Sequence, residues 1–176
     1  MAVEISIRRA GVGDERALAL VGQATFLETF AGVLDGAAII DHCHKAHAAE
    51  LYGRWLADPD TAVWVAHAAP GNAPIGYLVV ARPDLPVADT SQDLELKRIY
   101  LLGRYHGSGV GKRMLAHAVA HATSAGAPRL LLGVYAGNAS ALGFYRHQGF
   151  SKLAERQFNV GGKAYDDHVL GLDLGA

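Results

Sequence analysis

A mixed α/β fold built around one central sheet is what this sequence predicts, and three observations carry it. The chain opens on a segment, Val3, Ile5 and Ile7, in which apolar residues alternate with polar ones at the period of a half-buried strand. A strand-like run at Leu94–Leu102, a helical run at Val110–Ala125 and an all-apolar run at Leu130–Val134 follow one another, the order of a βαβ unit with parallel strands and a right-handed crossover. The chain then finishes on two strand-like segments around Gly161-Gly162, an antiparallel hairpin. At 176 residues these elements fit one domain, residues 1–176.

The elements follow in order. Residues 3–9 form the first strand, and "GDERALALVGQATFLETF" a helix in which Asp14 is a candidate N-cap and Ala17, Leu18 and Val21 recur at helical spacing. A second helical region runs from about Ile39 to Leu56, where "DPD" stops it. "TAVWVAHA" (61–68) and "PIGYLVVAR" (74–82) read as antiparallel strands joined by the turn-forming "PGNAP". A long loop with two prolines, "PDLPVADTSQD", leads into Leu94–Leu102, and loops of this length in compact domains often carry function. On the helix that follows, Val110, Met114, Leu115, Ala118 and Val119 mark the inner face. Leu130–Val134 is nearly all apolar, as expected of a strand buried on both sides, and Ala139–Gln148 makes the last helix.

Composition narrows the function. A formal net charge of -1 with no Lys/Arg cluster supplies no field for nucleic acid or anionic lipid. No apolar run reaches bilayer length, and "MAVEISIRRAG" lacks the apolar centre of a signal peptide, which points to the cytoplasm. The lone Cys43 excludes an internal disulfide framework. It shares "DHCHKAH" with His42, His44 and His47, but their spacing gives no structural zinc pairing, so no metal is expected and Cys43 reads as a buried, inert thiol.

The informative stretch is "RYHGSGVGKRML", where Gly107, Gly109 and Gly111 loosen the backbone between a strand and a helix. Such turns let main-chain N–H groups approach a phosphate at a helix start. A Walker A loop would need glycine in place of His106 and Ser or Thr in place of Arg113. A dinucleotide fingerprint would need a third glycine where Lys112 or Met114 stands. Neither fits, and a purely structural turn is the remaining alternative. Further on, "NASALGFYRHQGF" runs from Asn138 to Phe150 and includes Ala141, Phe144, Tyr145 and Gly149.

Taken together, the two stretches resemble the signatures of the GNAT superfamily of acyl-CoA N-acyltransferases. Its Q/R-x-x-G-x-G/A phosphate loop falls on His106 to Gly111, and its N-x-x-A-x-x-[FY]-Y-x-x-x-G-F signature on Asn138 to Phe150 without a gap. The order of the other elements agrees over nearly the whole chain. The resemblance implies the GNAT fold, a single mixed sheet of about seven strands flanked by helices. It implies direct attack of a primary amine on the thioester of acetyl-CoA, used as co-substrate, with no metal. Position 106 departs from the family in being His, whose full charge is present only below a pKa of ~6.5.

On that resemblance, Ile99, Tyr100 and Leu101 would hold the pantetheine arm by backbone pairing. His106, Gly107, Ser108, Gly109, Val110, Gly111 and Lys112 would wrap the diphosphate, chiefly through N–H groups. Asn138 would bond the pantetheine or cap the last helix, and Tyr145 would protonate the departing thiolate. An amine of pKa ~10.4 is mostly protonated at pH 7, a deficit of roughly 4–5 kcal/mol that a base or a desolvated site must offset. Glu95 matches the strand position of a catalytic glutamate in some branches; its alternative is a solvent-facing carboxylate paired with Lys97 or Arg98. The branch that modifies protein N-termini has a glutamate where Gly133 stands, so that route is closed. "LELKRIYL", "LLLGVYAGN" and "FLETF" look like the bacterial spermidine/spermine acetyltransferase subgroup, with Glu28, Glu95, Asp84, Asp89 and Asp93 as candidate contacts for a cationic polyamine. Other small amines and peptide amines stay open as acceptors, as do a non-catalytic acyl-CoA sensor or scaffold and a structural assembly partner. The partners implied are acetyl-CoA and a small-molecule amine, with a homodimer left open and neither nucleic acid nor membrane.

Overall fold

The computed structural model describes residues 2–175. A seven-stranded sheet runs through it in the order β1-β2-β3-β4-β5-β7-β6. The strands are β1 (Ile5–Arg9), β2 (Ala62–Ala68), β3 (Ala73–Ala81), β4 (Leu94–Leu101), β5 (Arg129–Tyr135), β6 (Ser151–Val160) and β7 (Lys163–Asp173). Five helices flank it: α1 (Glu15–Phe30), α2 (Gly36–Ala46), α3 (Ala49–Ala57), α4 (Val110–Ser124) and α5 (Ala139–His147). A short 3-10 turn, Gly103–Tyr105, links β4 to α4. The mixed seven-stranded sheet is the one expected, and β4 and β5 are its parallel pair.

Each face has its own core. One side of the sheet (Trp64, Leu78, Val80, Leu96, Leu130 and Leu132) packs against Met114, Leu115 and Ala118 of α4, the inner face that the helical spacing predicts. On the other side, Val63, Val65, Tyr77 and Val79 meet Leu18 and Val21 of α1 and Tyr52 of α3. A third cluster joins Phe26 and Phe30 of α1 to Ile39 and Cys43 of α2 and to Val160 at the tip of the β6–β7 hairpin.

Two local expectations are corrected. The helix expected over 39–56 is two helices, because the chain extends at Ala48 (φ -73°, ψ 147°). The break turns His47 inward to only 2% exposure, where its ring finds polar partners that a continuous helix would not bring to it. Asp14 stands at the N-cap of α1 but makes no side-chain cap; its carboxylate is drawn to Arg8 at 2.8 Å and accepts the Gly11 N–H. That guanidinium holds the Asp14 carboxyl down at about 2.

Candidate active site

The parallel pair is short. β4 meets β5 only at Leu94↔Leu130 and Glu95↔Leu131, whereas β5 stays paired with β7 as far as Tyr135. From Leu96 onward the β5-facing edge of β4 therefore has no strand partner, and a slot opens along Ile99, Tyr100 and Leu101. An exposed strand edge of this kind receives peptide-like groups through main-chain hydrogen bonds.

The slot leads to the glycine turn. Gly107 (φ 74°) and Gly109 (φ 84°) are left-handed, and Gly109 is the N-cap of α4. A Cβ at either would meet nothing within 4 Å, so backbone conformation, not crowding, demands glycine there. Side chains brace the turn from behind. The Glu28 carboxylate accepts the Gly103 N–H at 2.7 Å, the Ser108 hydroxyl donates to the Tyr105 carbonyl, and Nε2 of His106 lies 2.7 Å from the Leu101 carbonyl oxygen. A carbonyl only accepts, so His106 carries its proton on Nε2 and directs it at β4. The six main-chain N–H groups from Gly107 to Lys112, by contrast, donate no hydrogen bond among the described residues; the first helical bond there is Arg113 N–H to the Gly109 carbonyl. A run of unpaired donors at the positive end of a helix is what a diphosphate requires, and Lys112 is exposed beside it.

Tyr145 stands on α5, across the slot, and Asn138 is the N-cap of that helix. The Asn138 Oδ1 accepts the Ala141 N–H at 3.1 Å and caps the helix. Tyr145 is 8% exposed, with its ring against Phe144 and Phe150. Its hydroxyl has no hydrogen-bond partner among the described residues. No deeply buried side-chain oxygen or nitrogen lacks a partner, so that hydroxyl reaches accessible space. Burial, then the neighbouring Tyr100, pushes its pKa above the usual phenol range and keeps it a proton donor.

Glu95 lies at the point where β4 and β5 part. It is buried, not solvent-facing, and its Oε2 takes both contacts: Lys97 Nζ at 2.8 Å and the Asp84 N–H at 3.1 Å. Burial raises its pKa against the lowering effect of Lys97, which moves it toward the range of a base that works near neutrality.

The carboxylates expected to hold a polycation are otherwise engaged. Asp93 is buried and paired with Arg129 at 2.6 Å, and Asp84 is held by Lys97 at 2.8 Å. Asp89 and Asp93 precede β4, at the opposite end from the glycine turn. A surface hollow lined by Ala88, Asp89, Asp93, Arg129 and Asp173 lies at that far end as well. Glu28 braces Gly103. These positions form no acidic lining around the slot.

What lines that face is a cluster the sequence reading passed over. Arg98, between Glu95 and Tyr100 on β4, donates through one guanidinium nitrogen to the Tyr52 hydroxyl (2.9 Å) and to Nδ1 of His47 (3.2 Å), and lies over the Trp55 ring at 4.8 Å. Tyr52 bonds in turn to Tyr77 at 3.1 Å. Burial and the Arg98 charge hold His47 neutral, with its pKa down at about 3. Across the slot Arg156 pairs with Asp167 at 3.3 Å, and a Cβ at Gly133 would come within 2.6 Å of the Arg156 guanidinium. Of the histidine-rich stretch, His42 stacks on Phe26 and Cys43 is buried, with its thiol pushed up by burial. Strand alternation around Tyr77 and Tyr100 was the available signal for this cluster, since it sets Arg98 on their face.

Comparison with known proteins identifies the family and the fold. Residues 33–150 match the acetyltransferase (GNAT) family. An uncharacterised N-acetyltransferase of Mycobacterium bovis is 32% identical over 123 residues, covering 70% of this chain and 74% of its own. Among solved structures, the PaiA N-acetyltransferase of Thermoplasma acidophilum, determined with coenzyme A, superposes with a TM-score of 0.78 at 20% identity, over 97% of this chain and 99% of that one. A ribosomal-protein-alanine N-acetyltransferase of Brucella melitensis gives 0.71 at 22% identity, over 96% and 99%. No helix among the described residues is long and apolar enough to cross a membrane. With the family matched over two thirds of the sequence and the same fold throughout, the chain belongs to the GNAT family of acetyltransferases.

Proposed function

We propose that the whole chain is one catalytic domain that moves the acetyl group of acetyl-CoA to a primary amine by direct attack, with no covalent enzyme intermediate. The observation that carries this reading is the run of unpaired N–H groups from Gly107 to Lys112 at the mouth of the β4–β5 slot. Those donors hold the diphosphate, and the free edge at Ile99, Tyr100 and Leu101 holds the pantetheine arm. The bound thioester supplies the activated acyl group. Glu95, raised by burial, takes the proton from the amine, and a main-chain N–H near Tyr100 stabilises the developing oxyanion. Tyr145 delivers a proton to the leaving sulfur from a hydroxyl with no competing partner. Asn138 acts through its cap, which sets the start of α5 and with it Tyr145.

Two measurements test this. Acetyl-CoA at a hundred times its dissociation constant should stabilise the fold by about 2.7 kcal/mol in a thermal-shift experiment. Thiol release from acetyl-CoA over a panel of primary amines should then show amine-dependent turnover. Stabilisation without turnover on any amine refutes catalysis; no stabilisation refutes the reading of the glycine turn.

A further inference from the structure

Arg98 is a guanidinium without a counter-ion. No carboxylate pairs with it among the described residues; its charge is felt chiefly by tyrosines, and its two hydrogen bonds both leave from one terminal nitrogen. The other terminal nitrogen and Nε donate nothing among the described residues, yet no deeply buried nitrogen is left unpartnered, so this half of the fork keeps access to solvent. The other half is fixed by a rigid support: Tyr52 is fully buried, His47 is neutral and accepts through Nδ1, and Trp55 lies under the guanidinium plane. A planar, pre-oriented fork with two free donors matches a carboxylate.

Its position ties it to the reaction. Arg98 lies three residues beyond Glu95 and two before Tyr100, and at about 3.3 Å per strand residue a carboxylate on Arg98 stands within roughly 10 Å of both. An amine and a carboxylate separated by a few bonds span that interval. A polyamine would instead bring further positive charge beside an uncompensated guanidinium.

Resting on the transfer reaction proposed above, we infer that the acceptor is a small amino acid, a primary amine carrying a carboxylate a few bonds away, and that Arg98 is the residue that selects it. The half-buried rings of His42, Tyr135 and Phe158 border the same face and favour an apolar side chain on that acceptor.

The test compares phenylalanine, phenylalanine amide and phenethylamine, with spermidine as the polycation, in the thiol-release assay. The wild-type enzyme is expected to prefer the free carboxylate in kcat/KM by about 10- to 100-fold, the range of a charge-assisted hydrogen bond. In Arg98→Gln that ratio should collapse toward one, mainly through KM, and Arg98→Lys should restore part of it. A thermal shift with acetyl-CoA checks that each variant keeps its cofactor site. Should a variant fail to fold, the wild-type ratio still decides. A flat panel, or a preference for spermidine or the amide, overturns the assignment of Arg98 while leaving acetyl transfer intact. A panel silent for every amine overturns both.

Discussion

Acidification should unfasten the support of Arg98 through His47, and the size of the effect follows from its surroundings. His47 is packed beside Arg98 on β4, Tyr52 on α3, Phe26 on α1 and His42 on α2, so a proton on its ring would sit out of water next to a cation. Its folded pKa is held at about 3, against an ordinary value of ~6.5 in the unfolded chain. The unfolded chain therefore takes up the proton first, and stability falls as pH drops below ~6.5 until the folded ring also titrates. From pH 7.5 to 5.5 this one group should remove about 1.4 kcal/mol, and by pH 4.5 about 2.7 kcal/mol. For a chain of this size the first step corresponds to a fall in melting temperature of about 3–6 °C. Parallel thermal melts of the wild type and His47→Gln isolate the term, since glutamine still offers an acceptor to Arg98. His42, His67 and His121, also lowered by burial, are common to both proteins and cancel. The stability gap between the two should close by about 1.4 kcal/mol between pH 7.5 and 5.5. Two curves that stay parallel would refute the burial of a neutral His47 against Arg98.

Two further substitutions probe the cofactor side of the slot. Gly109→Val places a β-branched residue at φ 84°, where the left-handed conformation costs about 1–2 kcal/mol or more, so acetyl-CoA should bind about 5- to 30-fold more weakly by calorimetry; unchanged affinity contradicts the role of the turn. Tyr145→Phe removes a hydroxyl with no partner among the described residues, so melting temperature and acetyl-CoA affinity should hold while thiol release slows by about 10- to 100-fold. An unaltered release rate removes Tyr145 from the reaction.

Much of the fold was legible because local chemistry determines it. Gly107 and Gly109 stand where only glycine adopts the required φ without strain, and the βαβ unit follows from apolar runs of the right lengths. The split between α2 and α3 was not legible, because it depends on His47 finding Tyr52 and Arg98, contacts that exist only once β4 is in place. Nor was the end of the β4–β5 ladder: the apolar pattern of Leu94–Leu102 continues past Glu95, and only the packed sheet shows where pairing stops. The acidic residues show the same limit from the other side. Their number suggested a cation site, whereas Asp93 and Asp84 balance Arg129 and Lys97. Arg98 was read only as an alternative partner of Glu95, which Lys97 takes instead, because a missing counter-ion cannot be read from a string of letters.

The guanidinium of Arg156 lying where a side chain on Gly133 would go has an evolutionary corollary. A side chain acquired at 133 meets the far end of a flexible one, so Arg156 has to swing aside to admit it, and the two positions are coupled through that movement. An acid placed at 133 by a descendant of this sequence would arrive beside a guanidinium that now pairs with Asp167 at 3.3 Å, and would compete with that aspartate for it. Substitution at 133 therefore rewires an ion pair and does not wait for one to be lost.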